Sequence, residues 1–258
     1  MKKPLIPALD GHRTKADIIK AAVDIGHSPL SGIIHYWKIN DAAHLERSTG
    51  QAVIKALRRA IGKDRSCGIF LDLKLTETNG SLGNIARHYA DSRPDILTVT
   101  GKVSTRGFIE LRRILPKTKI ALVSVLSDIT EEECRFRWCK SVQDLMISEI
   151  EGIQDYYRRL KSYTDPATAF DMVVCSPDEV GSLSRRFSWL EFVVPGIRDA
   201  WMVNGQQARF SGIVRTLDNG ADYVVIGAQI ARGNPEKGIT AEESRNLTLS
   251  ELERRGKA

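Results

Sequence analysis

Residues 70–77 read Phe-Leu-Asp-Leu-Lys-Leu-Thr-Glu, an apolar run interrupted by Asp72 and Lys74 two positions apart. On an extended strand that spacing puts both side chains on one face. Two more charges interrupt apolar runs nearer the start: Asp10 closes the run 5–9 and Lys38 sits near the end of the run 33–39. If those runs are adjacent strands, all four charges converge on one mouth. A lone buried charge is costly, but opposite charges about 4 Å apart attract by roughly 4 kcal/mol at an effective dielectric of about 20, so an alternating array is sustainable in a partly dry pocket. Its chemistry is specific. A ligand carboxylate beside Asp72 is electrostatically stressed, loss of CO2 relieves the repulsion, and the Lys74 ammonium stabilises the resulting carbanion and delivers a proton. The structural alternative is a buried salt bridge that merely closes a barrel.

The elements that must position these residues follow from an alternation along the chain. Short apolar runs at 5–9, 33–39, 68–73, 96–100, 120–126, 170–175, 190–194 and 223–226 are separated by segments of helical spacing, among them 42–60, 82–89, 108–115, 178–183 and 207–217. Continuous apolar runs fit strands buried on both faces, and strand–helix alternation implies a parallel sheet. Eight such units in this length predict an α/β fold, a (β/α)8 TIM-type barrel forming a single domain over 1–258, with chemistry at the C-terminal strand ends. An open doubly wound sheet is the alternative, but Ala8-Leu9-Asp10-Gly11-His12 lacks the glycine spacing of a dinucleotide turn. The long connection 127–169 is expected to hold two helices with a turn near 164–166, and the segment after Asn246 a C-terminal helix. The acidic run 131–133 reads as the first turn of a helix, where acids suit the dipole.

Composition narrows the class. The 258 residues carry 42% hydrophobic and 27% charged side chains, ordinary for a folded protein able to bury a core. The formal charge is +6, yet basic residues are spread along the chain, which argues against nucleic acid and suits a cationic rim that attracts a small anion. The four cysteines, Cys67, Cys134, Cys139 and Cys175, form no Cys-x-x-Cys, and the expectation is reduced thiols in a cytoplasmic protein, with Cys67 and Cys175 in buried strands. The five histidines show no ligand spacing, so no metal or other cofactor is expected, and no apolar stretch reaches transmembrane length. Trp37 is expected to pack against helices. Trp201 reads equally as part of a lid or as a surface aromatic.

The ordered set resembles the orotidine 5′-monophosphate decarboxylase family, through nearly the whole chain. Leu71-Asp72-Leu73-Lys74-Leu75-Thr76-Glu77 is similar to that family's D-x-K-x-x-D signature. Val173-Val174-Cys175-Ser176, then Pro195-Gly196-Ile197-Arg198 with Gly205-Gln206-Gln207, resemble its sixth and seventh strand regions, and 223–227 its eighth. The resemblance implies cofactor-independent decarboxylation of a pyrimidine nucleotide, with Lys74 protonating C6 and Asp72 stressing the leaving carboxylate. It further implies Lys38 and Asp10 at the ribose, Ser81 at the ribose hydroxyls, Ser127 at the base, and Pro195, Arg198, Gln207, Gly227 and Ala228 around base and phosphate. Glu77 stands where the family has an aspartate that enters a neighbouring subunit's site, implying a homodimer. Position 228 is alanine in place of a phosphate-gripping arginine, with Arg232 four residues on, and the fourth strand region ends Val99-Thr100-Gly101 rather than in the histidine common to the family. Two other readings are a non-catalytic nucleotide-binding barrel and a metal-dependent sugar-phosphate decarboxylase or aldolase of the same superfamily. Lys38 opposes the latter, which carries an acid at that position.

Overall fold

The computed structural model describes residues 3–44, 50–62, 68–202 and 211–256. Along the chain lie β1 (Leu5–Pro7), α1 (Lys15–Gly26), β2 (Tyr36–Ile39), α2 (Gly50–Ile61), β3 (Gly68–Leu75), α3 (Asn79–Ala90), β4 (Ile96–Thr100), α4 (Thr105–Ile114), β5 (Lys119–Val123), α5 (Glu131–Trp138), α6 (Val142–Leu160), β6 (Met172–Val174), α7 (Val180–Arg186), β7 (Glu191–Val194), α8 (Ile213–Asp218), β8 (Tyr223–Ile226), α9 (Ala228–Arg232) and α10 (Ala241–Arg255). The eight strands form one parallel sheet in the order β1-β8-β7-β6-β5-β4-β3-β2. The seam between β1 and β2 is joined by parallel bridges at Leu5–Ile34 and Ala8–Lys38, so the expected barrel is present.

Strand alternation sorts the core into two layers. Trp37, Leu71, Leu97, Leu122, Val173, Val194 and Val224 join a large cluster shared with the helices, as expected for Trp37. Their sequence neighbours Ile6, Tyr36, Phe70, Ile96, Ala121, Met172, Val193 and Tyr223 form a separate cluster that fills the barrel interior. The interior floor is therefore apolar, and the next inward positions toward the strand C-termini are Lys38, Asp72 and Thr98, all buried. The period of two that buries the floor thus aims these polar residues at the mouth.

Several boundaries differ from the sequence expectation. The run 33–39 yields a strand only over Tyr36–Ile39, because a 3-10 turn over Pro29–Gly32 precedes it and Ile34 makes a single bridge. The connection after β5 holds two helices as expected, but their break is at 139–141, where Cys139 takes a left-handed conformation (φ 55°) and Ser141 caps α6. The 164–166 turn follows α6 instead of dividing the connection. The acidic run 131–133 does open α5, with the Thr130 side chain accepting from the Glu133 amide. The C-terminal helix begins at Ala241, earlier than the sequence suggests, because Thr240 and Glu243 form a reciprocal capping box. Helix α1 was not among the predicted segments, although Thr14 caps it and Ile18, Ala22 and Ile25 give it a buried face. Residues 45–49 and 207–210 of the predicted helices, and Cys67, lie outside the described residues. No helix among the described residues is long and apolar enough to cross a membrane.

Candidate active site

Asp72 is the hub of the mouth. Lys74 Nζ donates to its Oδ2 at 2.8 Å, and Lys38 Nζ lies 3.2 Å from the same oxygen. Lys38 also donates to Asp10 Oδ2 at 2.6 Å, so the charges alternate Asp10, Lys38, Asp72, Lys74 across three neighbouring strands. Thr98 Oγ1 on β4 donates to Asp72 Oδ1 at 3.0 Å, and Asn40 Nδ2 donates to the Asp72 carbonyl. Burial alone would raise the Asp72 pKa, but Lys38, then Lys74, and the hydrogen bonds from Lys74 and Thr98 outweigh it and hold the carboxyl below its ordinary value. The side chains of Lys38 and Asp72 are 11% and 10% exposed, that of Lys74 36%, so the array opens to solvent at Lys74.

The convergence of Asp72 and Lys74 has a different local cause from simple strand alternation. Pairing between β3 and β4 runs Phe70–Ile96 and Leu71–Leu97, then jumps to Leu75–Val99. Residues 72–74 thus face the single β4 residue Thr98, a bulge of two extra residues. Lys74 sits in the left-handed region with φ 49°, a conformation that costs a residue with a Cβ about 1–2 kcal/mol. Its amide leaves the main-chain ladder and donates to Thr98 Oγ1 at 2.8 Å.

A cavity of about 950 Å³ rises from this floor, lined by Lys38, Asp72 and Lys74, by Ser127 after β5, by Pro195 after β7 and by Arg215 on α8. That volume is in the range of small-molecule sites. The wall is polar as well as apolar, and around the cations Lys38, Lys74 and Arg215 it also carries the acids Asp128, Glu131, Asp178 and Glu179.

A model of the family described as "Orotidine 5'-phosphate decarboxylase / HUMPS family" matches residues 3–242. The chain belongs to that family. It is 32% identical over 197 residues to an orotidine 5'-phosphate decarboxylase of Thermobifida fusca, covering 74% of this chain and 76% of that protein. A protein of the same name from Synechocystis is 27% identical over 227 residues, 85% of this chain and 89% of the relative. Among solved structures, that of orotidine 5'-phosphate decarboxylase from Lactobacillus acidophilus superposes with a TM-score of 0.69 at 19% identity, covering 97% of this chain and 99% of that one. The enzyme of that name from Pyrococcus horikoshii gives 0.66 at 17% identity, covering 96% and 99%. These likenesses fix the fold as the family's barrel.

Against the residues that family resemblance singled out, the structure brings together Lys38, Asp72 and Lys74 at the cavity floor, with Ser127 and Pro195 on its wall. Asp10 joins through Lys38. Glu77 and Ser81 are exposed beyond the end of β3 and do not line the cavity. Arg198 is likewise exposed, its amide donating to the Ser211 carbonyl, and Gly227 and Ala228 open α9 away from the lining. Gln207 lies outside the described residues. Trp201 is held rather than loose: its Nε1 donates to Ser244 Oγ on α10 at 3.0 Å, and Asn234 donates to its carbonyl. Gly101, just after β4, is hemmed in by the Glu149 carboxylate from α6, which a Cβ there would overlap unless that side chain shifted. Cys175, just past β6, is buried, and burial pushes its thiol pKa well above the ordinary value.

Three residues of this site escaped the sequence reading. Thr98 was legible in principle, as a polar residue at an inward position of the apolar run 96–100. Asn40 follows β2 by one residue, with no charge to mark it. Arg215, among the described residues the one arginine lining the cavity, arrives from a helix rather than from a strand end.

Proposed function

We propose that this chain decarboxylates orotidine 5′-monophosphate to UMP. The observation that carries the reading is a buried, ionised Asp72 clasped between Lys38 and Lys74 at the floor of a nucleotide-sized cavity. A substrate carboxylate seated beside Asp72 is repelled in the ground state. The C6–carboxylate bond breaks, its electron pair stays on C6, and CO2 leaves with the negative charge removed from the neighbourhood of Asp72. The Lys74 ammonium opposes the charge on C6 and transfers a proton to it, giving UMP, and the amine regains its proton from solvent through the exposed side of the array. Every proton and electron pair in this sequence is accounted for by the chain and water. Lys38 and Asp10 hold the array and meet the ribose, while Ser127 meets the base.

With alanine at 228, the phosphate is assigned to Arg215, on the cavity wall, together with Gln207, which the family resemblance puts at the phosphate. A guanidinium suits this role because it grips phosphate in a bidentate fork. Glu77 and Ser81, exposed outside their own cavity, are assigned to the site of a second copy, making the active species a homodimer. Lys38 in β2, where the metal-dependent sugar-phosphate branch carries an acid, favours the nucleotide reading over that branch.

Incubating the purified protein with orotidine 5′-monophosphate and following the loss of orotate absorbance tests the reading. Turnover abolished by Lys74→Ala is the expected result. No turnover with UMP still bound would leave a nucleotide-binding barrel instead. Mixing Glu77→Gln with Lys74→Ala chains and recovering activity would place Glu77 in the partner's site.

A further inference from the structure

We infer that Thr98 is a positioning residue for the decarboxylation, its single hydroxyl setting both the Asp72 carboxylate and the Lys74 backbone; this rests on the reading just given. Thr98 is completely buried on β4 and faces the barrel interior. Its Oγ1 donates to Asp72 Oδ1 at 3.0 Å and accepts the Lys74 amide at 2.8 Å. A hydroxyl has one proton to give, and the two bonds fix its direction: the proton points to the carboxylate and a lone pair meets the amide. The same atom therefore couples the two groups of the proposed chemistry.

The backbone explains why such a coupling is needed. Residues 72–74 bulge over one β4 residue, which takes the Lys74 amide out of regular pairing, and its φ of 49° is a conformation that a lysine leaves unless something retains it. The Thr98 hydroxyl is what the Lys74 amide meets instead. The β-branched side chain makes that retention stiff, since a threonine has few χ1 choices on a strand. A valine has the same shape and neither hydrogen bond, while a serine keeps the hydroxyl and loses the stiffness. Purely structural service predicts that changes at 98 alter stability alone, whereas positioning predicts a loss in the chemical step at constant binding.

Three variants and one structure separate these. Thr98→Val is expected to lower kcat about 100-fold, the scale on which a misplacement of about 1 Å is felt, with KM for orotidine 5′-monophosphate and the Kd for UMP changed by less than about threefold. Thr98→Ser is expected to restore kcat to within about tenfold of the parent. The crystal structure of Thr98→Val is expected to show Lys74 outside the left-handed region with its Nζ withdrawn from Asp72. If Thr98→Val does not fold, Thr98→Cys, similar in volume and a weaker donor, takes its place and should rank below serine. A Thr98→Val kcat near that of the parent, an equal loss in UMP binding, or a Lys74 unmoved in the variant crystal overturns the inference. Absence of turnover in the parent protein would overturn the proposed function instead, and the variant crystal structure would still decide whether Thr98 holds Lys74.

Discussion

Replacing Asp72 by asparagine keeps the volume of the hub and removes its charge, so the consequences can be worked from the array itself. The side chains of Asp10, Lys38, Asp72 and Lys74 sum to zero charge, and the variant leaves one positive charge uncompensated. Lys38 loses its 3.2 Å ion pair with Asp72 but keeps Asp10 at 2.6 Å, and the side-chain hydrogen bond that is lost is that of Lys74, whose side chain is 36% exposed and can turn toward water. Losing one charge-assisted hydrogen bond costs about 1.5–3 kcal/mol, and water at Lys74 puts the cost near the lower end, a Tm decrease of about 3–6 °C for a chain of this size. The chemical effect is larger. A substrate carboxylate about 4 Å from that of Asp72 is destabilised by roughly 4 kcal/mol at an effective dielectric of about 20, repulsion that disappears with CO2 and corresponds to about 10³ in rate. Orotate absorbance at a series of substrate concentrations should therefore show kcat of Asp72→Asn down by up to about 10³ with KM lowered or unchanged, because ground-state repulsion has been removed. UMP has no carboxylate at C6, and calorimetry should find it bound as in the parent. A variant whose kcat stays within about tenfold of the parent, or which fails only through a raised KM, would refute the electrostatic argument.

Arg215→Ala is expected to raise KM by about 10–100-fold with kcat preserved, the scale of one lost charge-assisted phosphate contact; an unchanged KM in steady-state kinetics would remove Arg215 from the phosphate site. Asp165, which accepts bidentately from Arg113 and also from Ser162, has its carboxyl held well below the usual range, first by the Arg113 hydrogen bonds. That stabilisation is complete above the unfolded carboxyl pKa and is lost as the pH falls toward the lower folded value, so Asp165→Ala should lower Tm at neutral pH and flatten its acid limb in thermal melts, without moving KM. His35, at the barrel base against the Tyr36 and Tyr223 rings, is held below its ordinary pKa chiefly by burial. The unfolded chain then binds the proton first, so stability is complete above a pH of about 6.5 and falls as the pH drops toward the folded pKa; denaturant melts of His35→Phe should lack that loss.

Much of this was legible in the sequence because the barrel is built from short runs with one purpose. The strands 96–100 and 223–226 lie where their apolar, β-branched composition put them, and the others differ mainly at their ends, where a bridge or a turn replaces continuous pairing. Asp72, Lys74 and Lys38 were visible because a charge inside an apolar run is costly and demands a partner. Thr98 carries the same message more quietly, since threonine is common on strands and its hydroxyl needs no counter-charge. Arg215 is one exposed arginine among many until α8 is placed against β8. The capping box at Thr240 and the left-handed Cys139 set boundaries that periodicity alone did not locate.

The bulge in β3 also explains how a strained lysine can sit in a barrel without disturbing it. Two extra residues, rather than one, lie between the Leu71–Leu97 and Leu75–Val99 pairs, so the inside–outside parity of β3 is conserved and both leucines still face the helices. A single extra residue would have turned every later side chain to the wrong face. The extra length instead brings Lys74 back over Asp72, and the strand leaves the site fastened by threonines: Thr98 takes the Lys74 amide, Thr100 Oγ1 donates to the Leu75 carbonyl, and Thr76 and Thr100 hydroxyls lie 3.0 Å apart. Side-chain hydroxyls thus replace ladder hydrogen bonds where the backbone departs from regular pairing. The strain is confined to the residue proposed to carry the proton, and the two leucine pairs on either side keep it from spreading along the sheet.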